Sequence, residues 1–382
     1  MMIHKPRLLV VADTYYPKVD GILKFIEQFI SRSKTHFNLH LLAPYLGIKT
    51  GNAVTYVAPS KIISLSGYPS IQLSRQNIIQ IKSAIKNADI VFIQGPALLS
   101  YLSMYYAPKF HKKTIFYLHV VPWELFAKFA PPIVNKVLAF ITKRISIILY
   151  NRCTEILVPY PELKGYLQQE GVKTTITVAR LGVDIDRFTP ANSTENKEEW
   201  KQKIGLDPQK KVIGYVGRIS REKNTQVLLD AFRKLKRKEE LSLLLVGDGP
   251  QEQKKVCTQI SNCHVTGFVD NVQDYLKAMD IFVMPSLTET TSLATLEAMA
   301  SGLPVIATRI GFMQNYITKG YNGTFFPGNN SLVLATKIDK LLREKELRWK
   351  LGRNARKTVA YSFSWERSIN RIRRILMREM VR

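Results

Sequence analysis

Residues 280–308 read DIFVMPSLTETTSLATLEAMASGLPVIAT and predict three regular elements in a row. The apolar run 280–286 is typical of a strand that is buried on both faces, as strands of parallel sheets are. A helix must then lie within about 291–300, because Gly302 and a nearby proline would end it. The run 304–308 begins a second strand. This order of strand, helix and strand predicts a parallel sheet with helices on its faces.

The same alternation continues along most of the chain. Strands are expected at 7–13, 38–44, 89–95, 114–119, 155–160, 175–180, 211–217, 241–249, 264–268, 280–286 and 304–308. In the first half, helices are expected around 21–33, 74–87, 97–107, 133–150 and 161–170. We therefore predict an α/β fold of two Rossmann-like, doubly wound parallel-sheet domains that face each other across a cleft. The polar stretch 190–211 is the expected linker region.

Length and composition agree with two folded domains. A chain of 382 residues is long for one hydrophobic core. The net charge is +26, shared equally by the two halves of the chain. Such a field suits anionic partners, namely nucleic acid, an anionic membrane surface or phosphorylated substrates.

The cysteines and the lengths of the apolar runs indicate the cellular compartment in which the protein is expected. Three cysteines without a CxxC spacing argue against a disulfide framework or a zinc site, and favour a reducing compartment. No stretch approaches the 18 apolar residues or so that would predict a membrane-spanning helix. We therefore expect a cytoplasmic protein, either free or peripheral on the cytosolic face of a membrane.

Two acids flank the start of the helix predicted within 291–300. Thr291 and Ser292 are good N-cap residues, and no Glu or Gln follows at capping-box distance. The first-turn N–H groups are therefore free to bind an anion such as phosphate. Glu289 would lie in the loop before them, and Glu297 two turns into the helix, where a carboxylate can bind a ribose diol. Acids near a helix start also stabilise its dipole, so the spacing alone leaves a structural role open.

The loop GYVGRISREKN (214–224) adds two cations at another strand end. Gly217 ends a predicted strand and permits close approach, and Arg218 and Lys223 follow before the next helix. Two cations beside a helix start can hold a diphosphate. The alternative is a solvated basic loop.

The first half of the chain offers two weaker candidates. Gly21 follows the first strand in DTYYPKVDGILKF (13–25), where a glycine can let a ligand approach the backbone or can simply form a turn. His119 ends the strand TIFYLH (114–119), where it could hydrogen-bond a sugar, help to move a proton or be structural.

Together these features resemble the retaining glycosyltransferases of family 4, also called group 1, which have the GT-B fold. The resemblance covers nearly the whole chain and is closest to members with lipid acceptors. Its most specific parts are ETTSLATLEAMASGLPVIAT (289–308), YVGRISREKN (215–224), LLLVGDGP (243–250) and RLGVDIDRFTP (180–190).

The resemblance implies a catalytic role for four residues. Glu289 matches the acid near the donor sugar and its leaving phosphate, and His119 the histidine of the first domain beside that sugar. Arg218 and Lys223 match the cations that stabilise the departing diphosphate. The implied donor-binding residues are Gly21, Gly217, Arg218, Lys223, Thr291, Ser292, Leu293 and Glu297.

Two motifs of the chain depart from the family pattern. Asp20 precedes Gly21 where the family often has two glycines, which concerns the acceptor side. Thr291 and Ser292 stand where the family often has Phe and Gly, which concerns recognition of the donor sugar.

The resemblance also implies a reaction and a domain division. A hexose would move from a UDP- or GDP-linked sugar to an acceptor hydroxyl with retained configuration, and no metal or cofactor would be required. Residues 1–188 would form the acceptor domain and 189–361 the nucleotide-sugar domain. A C-terminal helix at 362–382 would pack back on the first domain.

The composition of residues 131–152 bears on the acceptor. These residues are mostly apolar and contain four cations but no acid. This composition suits a helix lying on an anionic membrane, or alternatively a helix of the core. A lipid or lipid-linked acceptor at the cytosolic membrane surface is our first hypothesis. The alternatives are a soluble or phosphorylated acceptor, a nucleotide-sugar epimerase or hydrolase, and a basic nucleic-acid-binding protein.

Overall fold

The computed structural model of the chain describes residues 5–17, 20–51, 53–65, 68–126 and 132–381. The chain forms two compact units. The first unit comprises the residues up to Arg180 together with those from Ser368 onward, and the second comprises Leu181–Arg367. Each unit is an α/β structure built on one parallel sheet, as the strand and helix pattern predicts.

The first unit begins with the alternation expected from the sequence. Its strands are β1 (Arg7–Ala12), β2 (Asn38–Pro44), β3 (Val54–Val57), β4 (Pro59–Leu65), β5 (Tyr68–Ile71), β6 (Ile90–Gly95), β7 (Lys113–Leu118), β8 (Glu155–Val158) and β9 (Thr175–Val178). Its first six helices are α1 (Gly21–Ser33), α2 (Arg75–Lys86), α3 (Leu98–Tyr106), α4 (Pro122–Phe126), α5 (Pro132–Tyr150) and α6 (Pro161–Gln169). Strands β3, β4 and β5 were not predicted from the sequence.

The sheet of the first unit reverses its direction of growth at β1. Its strand order is β3-β2-β1-β6-β7-β8-β9, and every neighbouring pair is parallel. Strands β4 and β5 form a separate antiparallel pair. Because the chain leaves β1 on one side and returns on the other, the loops after β1 and β6 diverge at the carboxyl ends of the strands and leave a crevice.

The second unit repeats this plan. Its helices are α7 (Thr194–Lys203), α8 (Thr225–Lys234), α9 (Gln251–Thr258), α10 (Val272–Ala278), α11 (Leu293–Ala300), α12 (Met313–Tyr316), α13 (Ser331–Arg343) and α14 (Lys345–Ser362). Its strands are β10 (Lys211–Val216), β11 (Leu241–Val246), β12 (Cys263–Val265), β13 (Ile281–Met284), β14 (Val305–Thr308) and β15 (Gly323–Phe326). The strand order is β12-β11-β10-β13-β14-β15, so this sheet reverses between β10 and β13.

The last helix, α15 (Trp365–Val381), belongs to the first unit from Ser368 onward. Its Arg373 donates to the carbonyl of Arg32 at 3.3 Å. Its Arg378 forms an ion pair with Glu155 of β8, a carboxylate that is almost fully buried. Polar contacts of this kind fix both the position and the rotation of the helix on the sheet.

The polar stretch 190–211 is not a free linker, because it contains α7 and lies within the second unit. Buried Asp280, just before β13, accepts the amide of Val212 at 2.9 Å. Two lysines of α7 flank its carboxylate, Lys201 at 3.2 Å and Lys197 at 3.7 Å. Burial alone would raise the pKa of Asp280, but the two lysines and the amide outweigh it and lower this pKa. Long-range ion pairing therefore makes this polar sequence structural.

We expect Asp280→Asn to lower the free energy of unfolding by about 3–5 kcal/mol, because Lys201 would stay buried without its counter-charge. The surface pair of Asp339 and Arg343 on α13, 2.7 Å apart, provides the matched control. Asp339→Asn should cost less than about 1 kcal/mol. Denaturant unfolding at pH 7 measures both values, and equal losses would contradict the prediction.

The same ion pair predicts a pH dependence of stability. Because the folded-state pKa of Asp280 lies below its unfolded value, its contribution is complete above a pH of about 4. That contribution is lost as the pH falls through the folded-state pKa. Denaturant unfolding at a series of pH values should therefore show wild type and Asp280→Asn converging in acid, and a constant difference between them would contradict the assignment.

Candidate functional site

Two loops meet at the carboxyl ends of β10 and β13, where the sheet of the second unit reverses. These are the loop 217–224 and the loop 285–292. The amide of Leu287 donates to the carbonyl of Glu222 at 3.0 Å, and the hydroxyl of Thr288 donates to the Glu222 carboxylate at 3.0 Å. Glu222 thus fastens the loops together, although sequence reasoning did not single it out. Ligands of open α/β sheets bind at such reversals.

An ion pair between Lys223 and Glu289 spans the two loops. The ammonium of Lys223 donates to Oε1 of Glu289 at 2.7 Å, and the hydroxyl of Ser286 donates to the same oxygen at 3.0 Å. The sequence predicted that both charged residues belong to the site, but not that they touch. Their contact places a cation and a carboxylate side by side at the reversal.

Arg218 is an exposed cation at this site. It follows Gly217 at the end of β10, and its side chain is 56% exposed. Its guanidinium contacts Glu222 at 3.3 Å, while its carbonyl accepts the hydroxyl of Tyr215 at 2.8 Å. The backbone is therefore anchored, and the charged end of the side chain remains open to solvent and to an anionic ligand.

The loop of LLLVGDGP packs against the loop that carries Arg218. Gly247, just after β11, has a φ of +145°, and a Cβ built there would lie 2.1 Å from the carbonyl oxygen of Gly217. Only a glycine allows this close approach of the two backbones. This contact explains in physical terms why the motif has a glycine at this point.

The amino end of α11 has no side-chain cap. Its N-cap residue is Ser292, with a φ of 53°, whose hydroxyl pairs with that of Thr295 at 2.8 Å. The neighbouring Thr291 is buried, and its hydroxyl has no hydrogen-bond partner among the described residues. The first-turn amides, from Leu293 onward, are thus not occupied by a side chain, which is the arrangement that favours an anion.

Glu297 lies in the same helix and is almost fully buried. Because α11 begins at Leu293, Glu297 lies one turn into the helix, whereas the sequence pattern predicted two turns. The difference arises because residues up to Ser292 remain in the loop.

A third loop, after β14, supports the backbone that carries Glu289. The amide of Phe312 donates to the carbonyl of Thr290 at 2.7 Å. The hydroxyl of Tyr316 donates to the carbonyl of Thr291, also at 2.7 Å. Gly311 has a φ of +52°, and a Cβ built there would lie 1.9 Å from the carbonyl oxygen of Glu289. Sequence reasoning missed Gly311, whose only indication was a glycine shortly after a predicted strand.

In the first unit, an acid closes the corresponding reversal between β1 and β6. Asp13 accepts the amides of Ala97 at 2.6 Å and Ser100 at 3.1 Å, at the start of α3. Burial raises its pKa to about 6 despite these hydrogen bonds. Asp13 was not among the expected site residues, because its partners are distant in the sequence.

Gly21 is the first residue of α1 and not part of a turn. Asp20 is the N-cap of this helix, and its carboxylate accepts the amide of Leu23 at 2.8 Å. The aspartate that replaces the usual glycine therefore caps a helix. Lys18 and Val19, in the same loop, lie outside the described residues.

His119 follows β7 and is almost fully buried. Its Nε2 lies 3.0 Å from the amide oxygen of Gln94, and its ring packs against Phe25 of α1, 5.5 Å away between centroids. Burial lowers the pKa of His119 to about 3, so its ring is neutral at pH 7. Of the two roles expected for it, hydrogen bonding fits this environment and proton transfer at neutral pH does not.

The described residues contain no cluster of three or more His, Cys, Asp or Glu side chains that could hold a metal ion. The charged groups of the second unit are instead brought together as cations beside carboxylates.

One helix of the first unit has an unusual outer face. Six large apolar side chains of α5 are between 40% and 59% exposed, namely Val137, Leu138, Phe140, Ile141, Ile145 and Ile148. Its inner face, with Leu149 and Tyr150, is buried in the core of the unit. No helix within the described ranges is both long and apolar enough to cross a bilayer.

The chain matches two protein families, one over each part. Residues 196–358 match the family described as Glycosyl transferases group 1, and residues 25–187 match Glycosyltransferase Family 4. The two matches together include most of both units.

Curated relatives are similar at moderate identity. The alpha-monoglucosyldiacylglycerol synthase of Streptococcus pneumoniae is 25% identical over 85% of this chain and 76% of its own length. A D-inositol 3-phosphate glycosyltransferase of Corynebacterium jeikeium is 29% identical over 56% of this chain. The chain spans about half the length of the first relatives, 53% of that enzyme and 51% of an uncharacterised glycosyltransferase of Methanocaldococcus jannaschii.

Solved structures share the fold over nearly the whole chain. The Anabaena protein Alr3699/HepE, solved in complex with UDP and glucose, has a TM-score of 0.78 at 16% identity and covers 97% of this chain and 99% of its own. WaaG, a glycosyltransferase involved in lipopolysaccharide biosynthesis, has a TM-score of 0.74 at 18% identity, over 95% of this chain and 98% of its own.

We expect Gly311→Ala to destabilise the protein by about 3–4 kcal/mol, because the new methyl group would collide with the backbone of Glu289. Gly320 is the matched control, since it has a φ of +79° but nothing within 4 Å of a built Cβ. Gly320→Ala should cost about 1 kcal/mol, from backbone strain alone. Denaturant unfolding compares the two variants, and similar losses would show that the Gly311 contact is unimportant.

Proposed function

Because the chain belongs to the family 4, or group 1, glycosyltransferases, which have the GT-B fold, we propose that it transfers a hexose from a UDP- or GDP-linked sugar to an acceptor hydroxyl with retained configuration. The observation that carries this proposal is the Lys223–Glu289 pair, 2.7 Å apart, at the reversal where the uncapped helix α11 also begins. A cation-rich anion site beside a carboxylate suits a sugar joined to a diphosphate.

The diphosphate would bind at the amino end of α11, where Arg218 and Lys223 would also contact it. When the bond between sugar and phosphate breaks, negative charge grows on the leaving oxygen. Fixed cations and backbone amides stabilise that charge without reorganising. In this proposal the cations of the protein supply the positive charge, and Glu297, buried one turn into α11, faces the ribose.

Glu289 is poorly suited to act as a nucleophile. Its Oε1 accepts hydrogen bonds from both Lys223 and Ser286, which lowers the reactivity of the carboxylate. We therefore place the acceptor hydroxyl on the face that the leaving group vacates. The new bond from carbon to oxygen forms there, and the acceptor proton passes to the departing phosphate. Glu289 and neutral His119 would orient the sugar by hydrogen bonds.

The acceptor proposed is a lipid at an anionic membrane surface, and helix α5 supports it. Its exposed apolar face is larger than isolated surface residues would give, and such patches mark interaction sites. Lys136 and Arg144 are exposed on the same helix, and Arg152 follows it. Residues 131–152 contain no acid. An apolar face bordered by cations is complementary to acyl chains beneath anionic headgroups.

Aromatic and cationic side chains also lie close together near the carboxyl end of α5. Arg152 lies one turn beyond Ile148 of α5, and its guanidinium is 5.7 Å from the ring of Tyr105. The ammonium of Lys109 lies 4.1 Å from the same ring. Two further pairs are Lys82 with Tyr106 at 4.8 Å and Lys86 with Phe110 at 4.9 Å. Aromatic rings beside cations are typical of the headgroup level of membranes.

We expect Arg218→Ala and Glu289→Gln each to lower sugar transfer by about 10²–10³-fold, because each removes a charge that the leaving group or the sugar needs. Exposed Arg221, in the same loop, provides the control Arg221→Ala, which should retain activity. The measurement is transfer of labelled sugar from a panel of UDP- and GDP-sugars, with membrane lipids and soluble acceptors offered in parallel.

The distribution of label separates the candidate functions. Label in the lipid phase that both variants lose supports the proposal. Label in soluble product alone contradicts the lipid acceptor, and free or isomerised sugar nucleotide without acceptor product favours a hydrolase or epimerase. Failure to bind any of the donors contradicts the whole proposal.

We expect the double variant Ile145→Asp, Ile148→Asp to lose at least about tenfold in binding to vesicles of anionic phospholipid, because burying two carboxylates in acyl chains is unfavourable. Leu332 of α13 is an exposed aliphatic residue of the second unit, so Leu332→Asp is the matched control. Co-sedimentation with anionic and with neutral vesicles measures the effect. Equal binding by wild type and the double variant would remove α5 as the contact surface.

A further inference from the structure

Gln94, near the end of β6, lies beside the histidine that the proposed function places next to the donor sugar. Strands β6 and β7 pair in parallel with Gln94 opposite Tyr117, and the amide of His119 continues the ladder to the carbonyl of Gly95 at 3.0 Å. Because side chains alternate along strands, Gln94, Tyr117 and His119 lie on one face of the sheet. Helix α1 covers that face with Phe25, 5.0 Å from Tyr117 and 5.5 Å from His119.

The imidazole of His119 has one side-chain hydrogen bond within the described part of the chain. Its Nε2 lies 3.0 Å from Oε1 of Gln94, which is completely buried. Tyr117, whose ring centroid is 4.6 Å from that of the imidazole, uses its hydroxyl to donate to the carbonyl of Ala179 at 2.6 Å. Gln94 is therefore the polar side chain that can orient the imidazole.

The chemistry of the two groups decides which ring nitrogen carries the proton. Burial lowers the pKa of His119 to about 3, so the ring is neutral at pH 7, with one N–H and one lone pair. The amide oxygen of Gln94 can only accept a hydrogen bond. Nε2 must then be the protonated nitrogen, and Nδ1 keeps the lone pair.

The amide nitrogen of Gln94 is evidence against a purely structural role. It is enclosed and has no hydrogen-bond partner among the described residues. Leaving a buried donor unsatisfied costs stability, so an apolar side chain of similar size would serve the fold better. A glutamine at this position is explained if its oxygen acts on His119.

We propose that Gln94 is a positioning residue, which fixes the Nε2–H tautomer of His119 and so presents Nδ1 as a hydrogen-bond acceptor to a hydroxyl of the donor sugar. The part concerning the sugar rests on the proposed function. The part concerning the tautomer does not, and it can be measured on the protein without substrate.

The test replaces Gln94 by methionine, which is similar in length and has no strong acceptor. With ¹⁵N-labelled histidine, long-range ¹H–¹⁵N spectra report the tautomer of each of the six histidines. The signal of His119 is identified by its loss in His119→Gln. We expect wild type to show the Nε2–H tautomer for His119, and Gln94→Met to show a mixture or the Nδ1–H form.

The same variant is then assayed for transfer. We expect kcat/KM to fall about tenfold, the usual effect of losing one neutral hydrogen bond, while UDP binding is unchanged. Gln76 is exposed on α2, so Gln76→Met is the matched control and should change neither the spectra nor the rate. Gln94→Leu repeats both measurements if the methionine variant does not fold.

Three results would overturn the proposal. These are an Nδ1–H tautomer in wild type, the same tautomer in Gln94→Met as in wild type, or a changed tautomer with an unchanged rate of transfer. A wild-type protein that transfers no sugar would contradict the proposed function instead, while the spectra would still decide whether Gln94 sets the tautomer.

Discussion

The ion pair of Lys223 and Glu289 is the contact on which the site of the second unit depends. It joins the loops after β10 and β13, which diverge because the sheet reverses between these strands. With the two charges paired, the loops can remain close without leaving a carboxylate unpaired beside an anion site. Gly311 then supports the Glu289 backbone from a third loop. The site is therefore assembled by loop contacts, and the parallel sheet supplies only their starting points.

Much of the fold could be predicted from the sequence, because buried parallel strands are nearly continuous apolar runs. Helix α1 matched the predicted range 21–33, since an aspartate cap precedes a clear apolar period. Strands β3, β4 and β5 and the final strand β15 were missed, and the stretch 190–211 was mistaken for a linker. In that stretch, Lys201 is buried because it meets Asp280, a partner some 80 positions away whose contact no local pattern can reveal.

The candidate site shows the same limit. Charged residues at strand ends were recognisable, since the type of residue and its position after an apolar run were both visible. The roles of Glu222, Gly311 and Asp13 were not visible, because each depends on the backbone of another loop coming within hydrogen-bond or van der Waals distance. The position predicted for Glu297, two turns into its helix, was wrong for a related reason. Ser292, with a positive φ, is still outside the helix, so α11 begins only at Leu293.

The net charge of +26 does not act as one field, because the cations of this chain lie in different environments. Lys201 is buried against Asp280, where it supports the fold and is not available to a partner. Lys223 is paired with Glu289 at the site, and its ammonium has further N–H groups that could bind a phosphate. Lys136 and Arg144 of α5 are exposed beside apolar side chains. Salt screens solvated charges far more than buried ones, so in the proposed function the exposed cations, including those of α5, would give a salt-sensitive attraction to an anionic membrane. In that proposal the exposed apolar face of α5 favours a lipid bilayer over a nucleic acid, since acyl chains can cover an apolar face and a nucleic acid cannot.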